Sequence, residues 1–241
     1  MQITPAPWEQ RNLGLSCDEV TLAPQDDLAT VDHGLASLAS QYQVVKLPCA
    51  RPDLLLHLQG QGFTVMEVLS TCYHDGQFPP LSRPQTKMLD SLSCAPATVA
   101  QSDAIVEHIR AGMFDTDRVA IDPRLGPALA ARRYAGWLSD EVARGATVYC
   151  LTHKEAPVGF FVMRAGEAQV WHATLGGIFP AYQRYGFGFF MNYLEVAHAM
   201  ALGAKRVFTG FSSNNPAIAA IHYALGYRLH QQHYVLVRHR P

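Results

Sequence analysis

A glycine-containing turn near residue 186 is the part of the sequence best suited to hold an anionic group. Gln183, Gly186 and Gly188 follow the turn 180–182 and open a predicted helix. The first amides of a helix have no partner within it, the helix dipole is positive there, and glycine lets the backbone approach a ligand closely. Arg184 adds one cation. The segment therefore predicts a binding site for a pyrophosphate.

Two widespread phosphate-binding motifs do not fit this turn. A dinucleotide-binding turn needs three glycines in GxGxxG order near the start of a βαβ unit, and a P-loop needs GxxxxGK followed by Ser or Thr. Residues 183–188 read QRYGFG and meet neither requirement. The motif therefore favours neither a dinucleotide-dependent enzyme nor a P-loop NTPase.

A second polar block follows after one more predicted strand. Asn215 is a favourable N-cap, Pro216 suits the first helical position, and Gly226 suits the exit from the helix. The spacing of seven residues puts Asn215 and His222 on one helix face. Tyr223 is turned about 100° from His222, so we expect Tyr223 to pack inward.

The elements that would position these residues alternate between helices and strands. We predict helices at 28–39, 52–59, 103–111, 126–144, 186–202 and 216–225. We predict strands at 42–47, 63–73, 92–98, 147–151, 158–164, 169–178, 206–211 and 228–238. The predicted fold class is therefore α/β, in the form of an α+β mixed sheet with an antiparallel meander in its middle.

A proline-rich stretch at 76–84, GQFPPLSRP, marks the predicted domain boundary. We predict a smaller N-terminal αβ lobe at 1–84 and a second domain at 85–241. The segments 52–63 and 216–227 share an opening proline and a glycine–aromatic exit at identical spacing. This repeat predicts that the N-terminal lobe is a truncated relative of the C-terminal domain.

Composition excludes several classes of protein. Of 241 residues, 49% are hydrophobic and 16% are charged, which indicates a globular protein. The net charge of -1 gives no bulk electrostatic reason to bind nucleic acid or an anionic membrane. The five cysteines show no CxxC spacing, so neither a disulfide framework nor a metal site is predicted.

No segment resembles a signal peptide or a membrane span, so the expected location is the reducing cytoplasm. The oligomeric state stays open, and a homodimer is the assembly to test first.

The glycine turn and the second block together resemble the GNAT superfamily of N-acetyltransferases. Its acetyl-CoA motif is Gln or Arg, two residues, Gly, one residue, then Gly or Ala, and the turn matches it in full. Its later motif is an Asn followed by a Tyr seven residues on and by Gly and an aromatic eleven and twelve residues on. Asn215, Gly226 and Tyr227 match this motif, and His222 stands where the family has the Tyr.

A closer resemblance, over most of the chain, is to the TDP-fucosamine acetyltransferases of enterobacterial surface-polysaccharide synthesis. It is carried by the strand GFTVMEV at 62–68 and by the stretch 113–145. This resemblance implies a GNAT fold with a smaller N-terminal half, and a chain that uses acetyl-CoA as cosubstrate without a metal.

The resemblance also implies where acetyl-CoA binds. In the family the strand before the acetyl-CoA motif, here 170–179, splays from its neighbour, and the pantetheine arm lies in the gap. Gly176 and Gly177 are the predicted place of the local distortion. The residues expected to contact acetyl-CoA are Ile178, Phe179, Gln183, Arg184, Tyr185, Gly186, Phe187, Gly188 and Asn215.

Catalysis would need a proton for the departing thiolate, a task that the family gives to the Tyr. His222 is the first candidate, Tyr223 is the second, and a reaction without an essential acid is the third. We expect His222→Phe to lower turnover by about tenfold or more at neutral pH. His172 is the candidate general base.

The acceptor is expected at the loop that carries Asp115, Asp117 and Arg118, where a carboxylate suits an ammonium group and Arg118 suits a phosphate. The predicted reaction is acetylation of a small-molecule primary amine, with an amino-sugar nucleotide of the TDP-4-amino-6-deoxyhexose type favoured. Polyamines, amino acids and peptide N-termini are the next acceptors. A non-catalytic CoA-binding or regulatory module is the alternative from another class, because the family's Tyr is replaced.

Overall fold

The structure, a computed structural model, describes residues 1–240 as one mixed sheet with helices on both faces. The strands are β1 (Gln2–Pro5), β2 (Cys17–Thr21), β3 (Tyr42–Pro48), β4 (Thr64–His74), β5 (Leu92–Pro96), β6 (Thr147–His153), β7 (Ala156–Ala165), β8 (Val170–Ile178), β9 (Arg206–Ser212) and β10 (Arg228–His239). The helices are α1 (Pro7–Leu13), α2 (Leu28–Ala36), α3 (Pro52–Gly60), α4 (Arg83–Leu89), α5 (Val99–Arg110), α6 (Arg118–Ile121), α7 (Pro127–Ala143), α8 (Phe187–Ala201) and α9 (Pro216–Leu225).

The sheet has the strand order β1-β2-β3-β10-β4-β9-β8-β7-β6-β5. Its parallel pairs are β2 with β3 and β8 with β9, and the other neighbours are antiparallel. The α/β class with a mixed sheet and an antiparallel meander, formed by β5 to β8, is therefore confirmed.

The two halves of the chain have the same topology around the β4–β10 pair. The run β2-α2-β3-α3-β4 corresponds to β8-α8-β9-α9-β10. Each half contributes a parallel pair, and its last strand lies between two strands of the other half, giving the central order β3-β10-β4-β9. This order is unchanged when the halves are exchanged, so the prediction of a smaller, truncated N-terminal half is confirmed.

Sheet pairing crosses the predicted domain boundary, because β10 lies between β3 and β4. The boundary at residue 84 falls in the first turn of α4, which Ser82 begins with a capping box. The division into 1–84 and 85–241 stays a prediction.

Two helical layers cover the sheet. On one face, α2 and α3 bury Leu35 and Leu54 against β3, while α8 and α9 bury Val196 and Leu225. On the other face, α1, α5, α6 and α7 pack in clusters with β3, β7 and β10. Alternate residues of a strand point to opposite faces of the sheet, so each strand contributes side chains to the packing against both helical layers.

Strands β8 and β9 separate part of the way along their length. They pair only from Val170 to His172, and the rest of β8 runs free of β9. The register between β7 and β8 shifts at Thr174. The prediction that Gly176 and Gly177 carry the distortion is therefore wrong, since both pair regularly with β7.

No helix among residues 1–240 combines the length and apolar character needed to cross a membrane.

Candidate active site

A cavity of about 380 Å³ opens where β8 and β9 separate, and side chains from both faces of the sheet line it. Residues from Ala173 to Gly176 form one wall, and residues from Thr209 to Ser212 form the other. Helices α8 and α9 close it on one face, and α7 with the loop before α6 closes it on the other. The cavity thus passes through the sheet, and a ligand on either face can reach the gap.

On the α8 and α9 face, a chain of hydrogen bonds begins at a buried thiol. The Cys72 thiol donates to His222 Nδ1 at 3.5 Å, and His222 Nε2–H donates to Asn192 Oδ1 at 3.1 Å. The Asn192 amide donates to the carbonyl oxygen of Gly188 at 2.8 Å. These bonds fix the imidazole tautomer. They also connect α9 to the first turn of α8.

His222 lies in the cavity wall, in agreement with its spacing from Asn215, which also lines the cavity. The imidazole is 2% exposed and stacks on Tyr227 at 4.3 Å. Burial, together with the nearby His74, lowers its pKa to about 4. His222 is therefore a neutral imidazole at pH 7, and both of its ring nitrogens have partners.

Tyr223 faces away from the cavity. Its side chain is 63% exposed, whereas His222 beside it is buried. The expectation that Tyr223 packs inward is wrong, because the inner face of α9 is the one that carries Ile218 and His222.

A second titratable group of this face, Glu195, was not identified from the sequence. Its side chain is 4% exposed, lies on α8 one turn beyond Asn192, and lines the cavity. Burial raises the pKa of this carboxyl to about 8, and no neighbouring cation offsets the effect. In the sequence, the only indication of a buried carboxyl here is that Glu195 stands between Leu and Val in an apolar helix.

The opposite face of the cavity carries a network of ion pairs. Arg118 is buried and contacts Glu9 at 2.6 Å and Glu19 at 3.2 Å. Arg133 contacts Glu9 at 2.8 Å and Asp117 at 3.2 Å. Asp117 also caps α6, since its carboxylate accepts from the Ala120 amide. The predicted acceptor residues Asp117 and Arg118 thus lie in the cavity wall.

Glu67 on β4 adds a carboxyl to this face and was also missed from the sequence. It is 7% exposed, and burial raises its pKa while a hydrogen bond from Ser212 acts in the opposite direction. In the sequence, this buried carboxyl is indicated only by an acidic residue inside the apolar strand GFTVMEV. The cations that line this face, Lys46, Arg118 and Arg133, are engaged with Glu9, Glu19 and Asp117. Glu67 is therefore the carboxyl that lines this face without an ion pair.

Two predicted site residues do not reach the cavity. His172 is paired with β9 one residue before the lining part of β8, and burial lowers its pKa. Asp115 is exposed, whereas its neighbours Thr116 and Asp117 line the wall.

The glycine turn lies at the mouth of the gap, between the end of β8 and the start of α8. Residues Pro180–Tyr185 form a short 3₁₀ helix, and Gly186 takes a left-handed conformation with φ of 75°. No side chain caps α8, so its first amides are open to a ligand. Gln183, Arg184 and Tyr185 are exposed at this mouth.

The remaining residues predicted to contact acetyl-CoA pack around the glycine turn. Gly188 faces α9 closely, since a Cβ there would lie 3.2 Å from Ile221. Ile178, Phe179 and Phe187 are buried beneath the turn, with Phe179 stacked on His108 at 4.1 Å. An open helix start beside a gap between splayed strands fits an anionic ligand with an extended arm.

Within residues 1–240, no group of three or more His, Cys, Asp or Glu side chains is arranged to hold a metal ion.

Comparison with known proteins identifies the fold. No protein-family model matches the chain, and no curated protein sequence matches it. A GCN5-related N-acetyltransferase (GNAT) from Sphaerobacter thermophilus is similar in structure, with TM-score 0.65 and 10% identity over 99% of this chain and 76% of that one.

Two further solved structures are similar. A tandem GNAT protein from the clavulanic acid biosynthesis pathway has TM-score 0.57 and 13% identity over 93% of this chain and 76% of its own. A functionally unknown conserved protein from Staphylococcus epidermidis has TM-score 0.59 and 12% identity over 97% of this chain and 89% of its own. The sheet order, the splayed β8–β9 pair and these similarities together establish that the chain has the GNAT fold.

Proposed function

We propose that the protein transfers an acetyl group from acetyl-CoA to the primary amine of a small molecule. The observation that carries this proposal is the cavity between β8 and β9, which has carboxylates in its wall on one face of the sheet, while an uncapped helix start lies at the end of the same gap. A two-substrate transfer needs both reactants to be held next to each other in one site. Fold similarity to GNAT acetyltransferases adds support.

The residues of the turn would hold acetyl-CoA. Backbone amides from Gly186 to Gly188 would bind the pyrophosphate, and Arg184 would add a cation. The edge of β8 that β9 leaves unpaired would hold the pantetheine arm, with Asn215 facing it across the gap. The thioester would supply the acetyl group and the leaving thiolate.

The charge of the opposite face favours an amine as acceptor. Glu67 and Asp117 would attract an ammonium group, and Glu67 is the carboxyl left without a cation of its own. The favoured acceptor stays an amino-sugar nucleotide of the TDP-4-amino-6-deoxyhexose type, with Asp117 and Arg118 in contact with it. That choice, and the closer relation to TDP-fucosamine acetyltransferases, rests on the sequence resemblance.

The test is release of the CoA thiol from acetyl-CoA across a panel of amines. The panel contains TDP-4-amino-6-deoxysugars, polyamines, amino acids and peptides with free N-termini. We expect thiol release that depends on one class of amine. Tight acetyl-CoA binding without amine-dependent release would favour the non-catalytic CoA-binding module, and failure to bind would reject both functions.

Phenylalanine variants at neighbouring positions test the acid that the family resemblance implies. His222→Phe is expected to lower turnover by about tenfold or more, because it breaks the hydrogen-bond chain from Cys72 to Asn192 in the cavity wall, whereas Tyr223→Phe should be mild because that side chain is exposed. A damaging Tyr223→Phe together with a mild His222→Phe would contradict this expectation. Any effect of His222→Phe includes loss of its bond to Asn192, so it does not by itself identify a proton donor.

A further inference from the structure

The carboxyl of Glu195 is buried in the cavity wall with no cation beside it. Two other buried carboxyls at or beside the cavity have cationic partners: Glu9 binds two arginines, and Asp117 binds Arg133. Glu67, on the opposite face, makes no ion pair but is influenced by the charge of Arg118. Glu195 has no such partner. Asn192 and His222, which line the cavity on the same face, are both neutral, and Tyr227 lies close enough for Glu195 to raise its pKa. An unpaired carboxylate in such surroundings is costly, so the group is stable there as a protonated acid.

Glu195 also lies level with the point where the strands separate. Strand β8 runs towards the glycine turn, and helix α8 runs away from it. Glu195 is eight residues past Phe187, about 12 Å along the helix axis. Thr174, where the register shifts, is four residues before Ile178, about 13 Å back along β8. The carboxyl therefore faces the inner end of the gap, away from its mouth.

The other titratable side chains of this face are less able to release a proton there. His222 is neutral, and its Nε2–H is engaged with Asn192. Burial keeps Cys72 a thiol, which donates to His222. The Tyr227 hydroxyl is buried, without a hydrogen-bond partner among the described residues, and its pKa is raised by burial and by Glu195.

We propose that Glu195 is the proton donor to the departing thiolate. This proposal rests on the proposed function. As the carbon–sulfur bond of the thioester breaks, its electron pair stays on sulfur, and the Glu195 carboxyl proton passes to that sulfur to give the free thiol. The bound ammonium group first loses a proton to solvent, and the neutral amine nitrogen then forms the new bond to the acyl carbon and loses a second proton to solvent or to Glu67. Glu195, left as a carboxylate, takes a proton from water before the next turnover.

The acidity of the group suits this step. A buried carboxyl with a pKa of about 8 is protonated at pH 7. Its acidity is close to that of an ordinary thiol, near 8.5, so proton transfer between the two is nearly balanced. A carboxyl with the usual pKa of about 4.3 would be ionised at pH 7 and would have no proton to give.

The substitution Glu195→Gln keeps size and removes the acid. At pH 7 and saturating amine we expect kcat to fall by about 100-fold or more. The dissociation constant of acetyl-CoA, measured by calorimetry, should stay within about twofold, because an amide fills the same space. The wild-type kcat should fall above pH 8, and this alkaline decline should be absent from the variant.

Glu141→Gln is the matched control. Glu141 is equally buried but lies on α7 outside the cavity and is paired with Arg144 and Arg164. It should keep the alkaline decline of kcat. A Glu195→Gln protein with unchanged kcat, or with reduced kcat and the same alkaline decline, would overturn the proposal.

Infrared difference spectra of wild type minus Glu195→Gln give a reading that needs no turnover. We expect a protonated-carboxyl band at pH 7 that disappears as pH rises through about 8. Absence of this band overturns the proposal even if the wild type is active. A wild type that binds acetyl-CoA and shows the band, but releases no thiol with any amine, overturns the proposed function and the donor role with it.

Discussion

Two buried side chains of the cavity wall, His222 and Glu195, are both neutral at pH 7 for the same physical reason. Burial disfavours the charged form, which lowers the pKa of the imidazole and raises that of the carboxyl. The consequences for chemistry are opposite. The neutral imidazole has no extra proton to donate, whereas the neutral carboxyl has one.

The lowered pKa of the buried His222 should make the stability of the protein depend on pH. Its folded pKa of about 4 lies below the ordinary 6.5. The neutral form in the folded state thus contributes stability that is present above pH 6.5 and is lost as pH falls through 4. Over this window the His222 contribution to the free energy of unfolding in urea should fall by up to about 1.4 kcal/mol per pH unit. Glu195, whose pKa is raised to about 8, acts in the opposite direction, so the contribution of His222 is measured as the difference between the wild type and a variant that cannot titrate there.

His222→Phe is the comparison for this measurement, because it keeps an aromatic ring against Tyr227 but cannot titrate. The variant should be less stable at pH 7, since Asn192 and Cys72 lose a partner, and the difference in free energy of unfolding between wild type and variant should shrink as pH falls from 6.5 to 4. Equal slopes for the two proteins would mean that His222 is not buried as a neutral group.

Glu67 should affect the use of the amine acceptor and not the binding of acetyl-CoA. Glu67→Gln removes the carboxyl that is proposed to bind the ammonium group, so we expect kcat/KM for the amine to fall by about 10- to 100-fold. The affinity for acetyl-CoA should not change, because the glycine turn lies on the other side of the gap. Steady-state kinetics and calorimetry measure the two quantities separately. A weakened affinity for acetyl-CoA with an unchanged amine response would contradict this assignment.

Helical spacing predicted which residues meet at the site better than it predicted their chemistry. Asn215 and His222 share the cavity wall, as their spacing of seven residues requires. The direction of Tyr223 could not be derived from spacing, because spacing gives relative angles and not which face is buried. Glu67 and Glu195 were missed because a single acidic residue in an apolar segment has no motif to identify it.

Among the elements, those with clear periodicity and caps were predicted within a few residues, including α8, β9, α9 and β10. The missed ones are short: β1, α1, β2, α4 and α6 have seven residues or fewer. Their signals are too brief to separate from loops. The shift at Thr174 was also missed, because a register shift depends on the partner strand and a Thr does not mark it.

The two ends of α8 provide a matched test of the glycine turn. Gly186 and Gly203 both have positive φ, 75° and 91°, and a Cβ at either would meet no atom within 4 Å. Alanine at either position should therefore lower stability alike, by about 1 kcal/mol. Only Gly186→Ala should weaken acetyl-CoA binding, by about tenfold, because only that end holds the proposed pyrophosphate site.

Calorimetric titration of acetyl-CoA into both variants checks this prediction. Equal affinities for Gly186→Ala and Gly203→Ala would place the cofactor elsewhere.

In the whole molecule, the two similar halves differ at the position that matters for binding. The β2–β3 pair, which corresponds to β8–β9, is hydrogen-bonded along all of β2 and leaves no gap. Helix α2, which corresponds to α8, is capped by Asp27, whose carboxylate accepts from the Thr30 amide. A carboxylate at this end opposes an anion. The N-terminal half therefore has the framework of the site without its ligand-binding features, and one acetyl-CoA per chain is expected.

Because the two halves share one sheet, they should stay associated under native conditions after the loop that connects them is cleaved. A protease site inserted between Pro80 and Leu81 allows cleavage after folding. Because β10 pairs with both β3 and β4, its removal would expose two strand edges and the buried Leu236. We therefore expect the cleaved fragments to elute together on native size-exclusion chromatography and to separate only in denaturant.

The uncleaved insertion variant is the control, and it should match the wild type in elution and in affinity for acetyl-CoA. The N-terminal fragment expressed alone should aggregate, since without β10 it lacks the strand that joins β3 to β4. If the cleaved fragments separate as folded species, the halves are independent domains, and the β10 pairing adds little to stability. Co-elution would instead mean that the proline-rich loop marks a repeat boundary inside one cooperative unit.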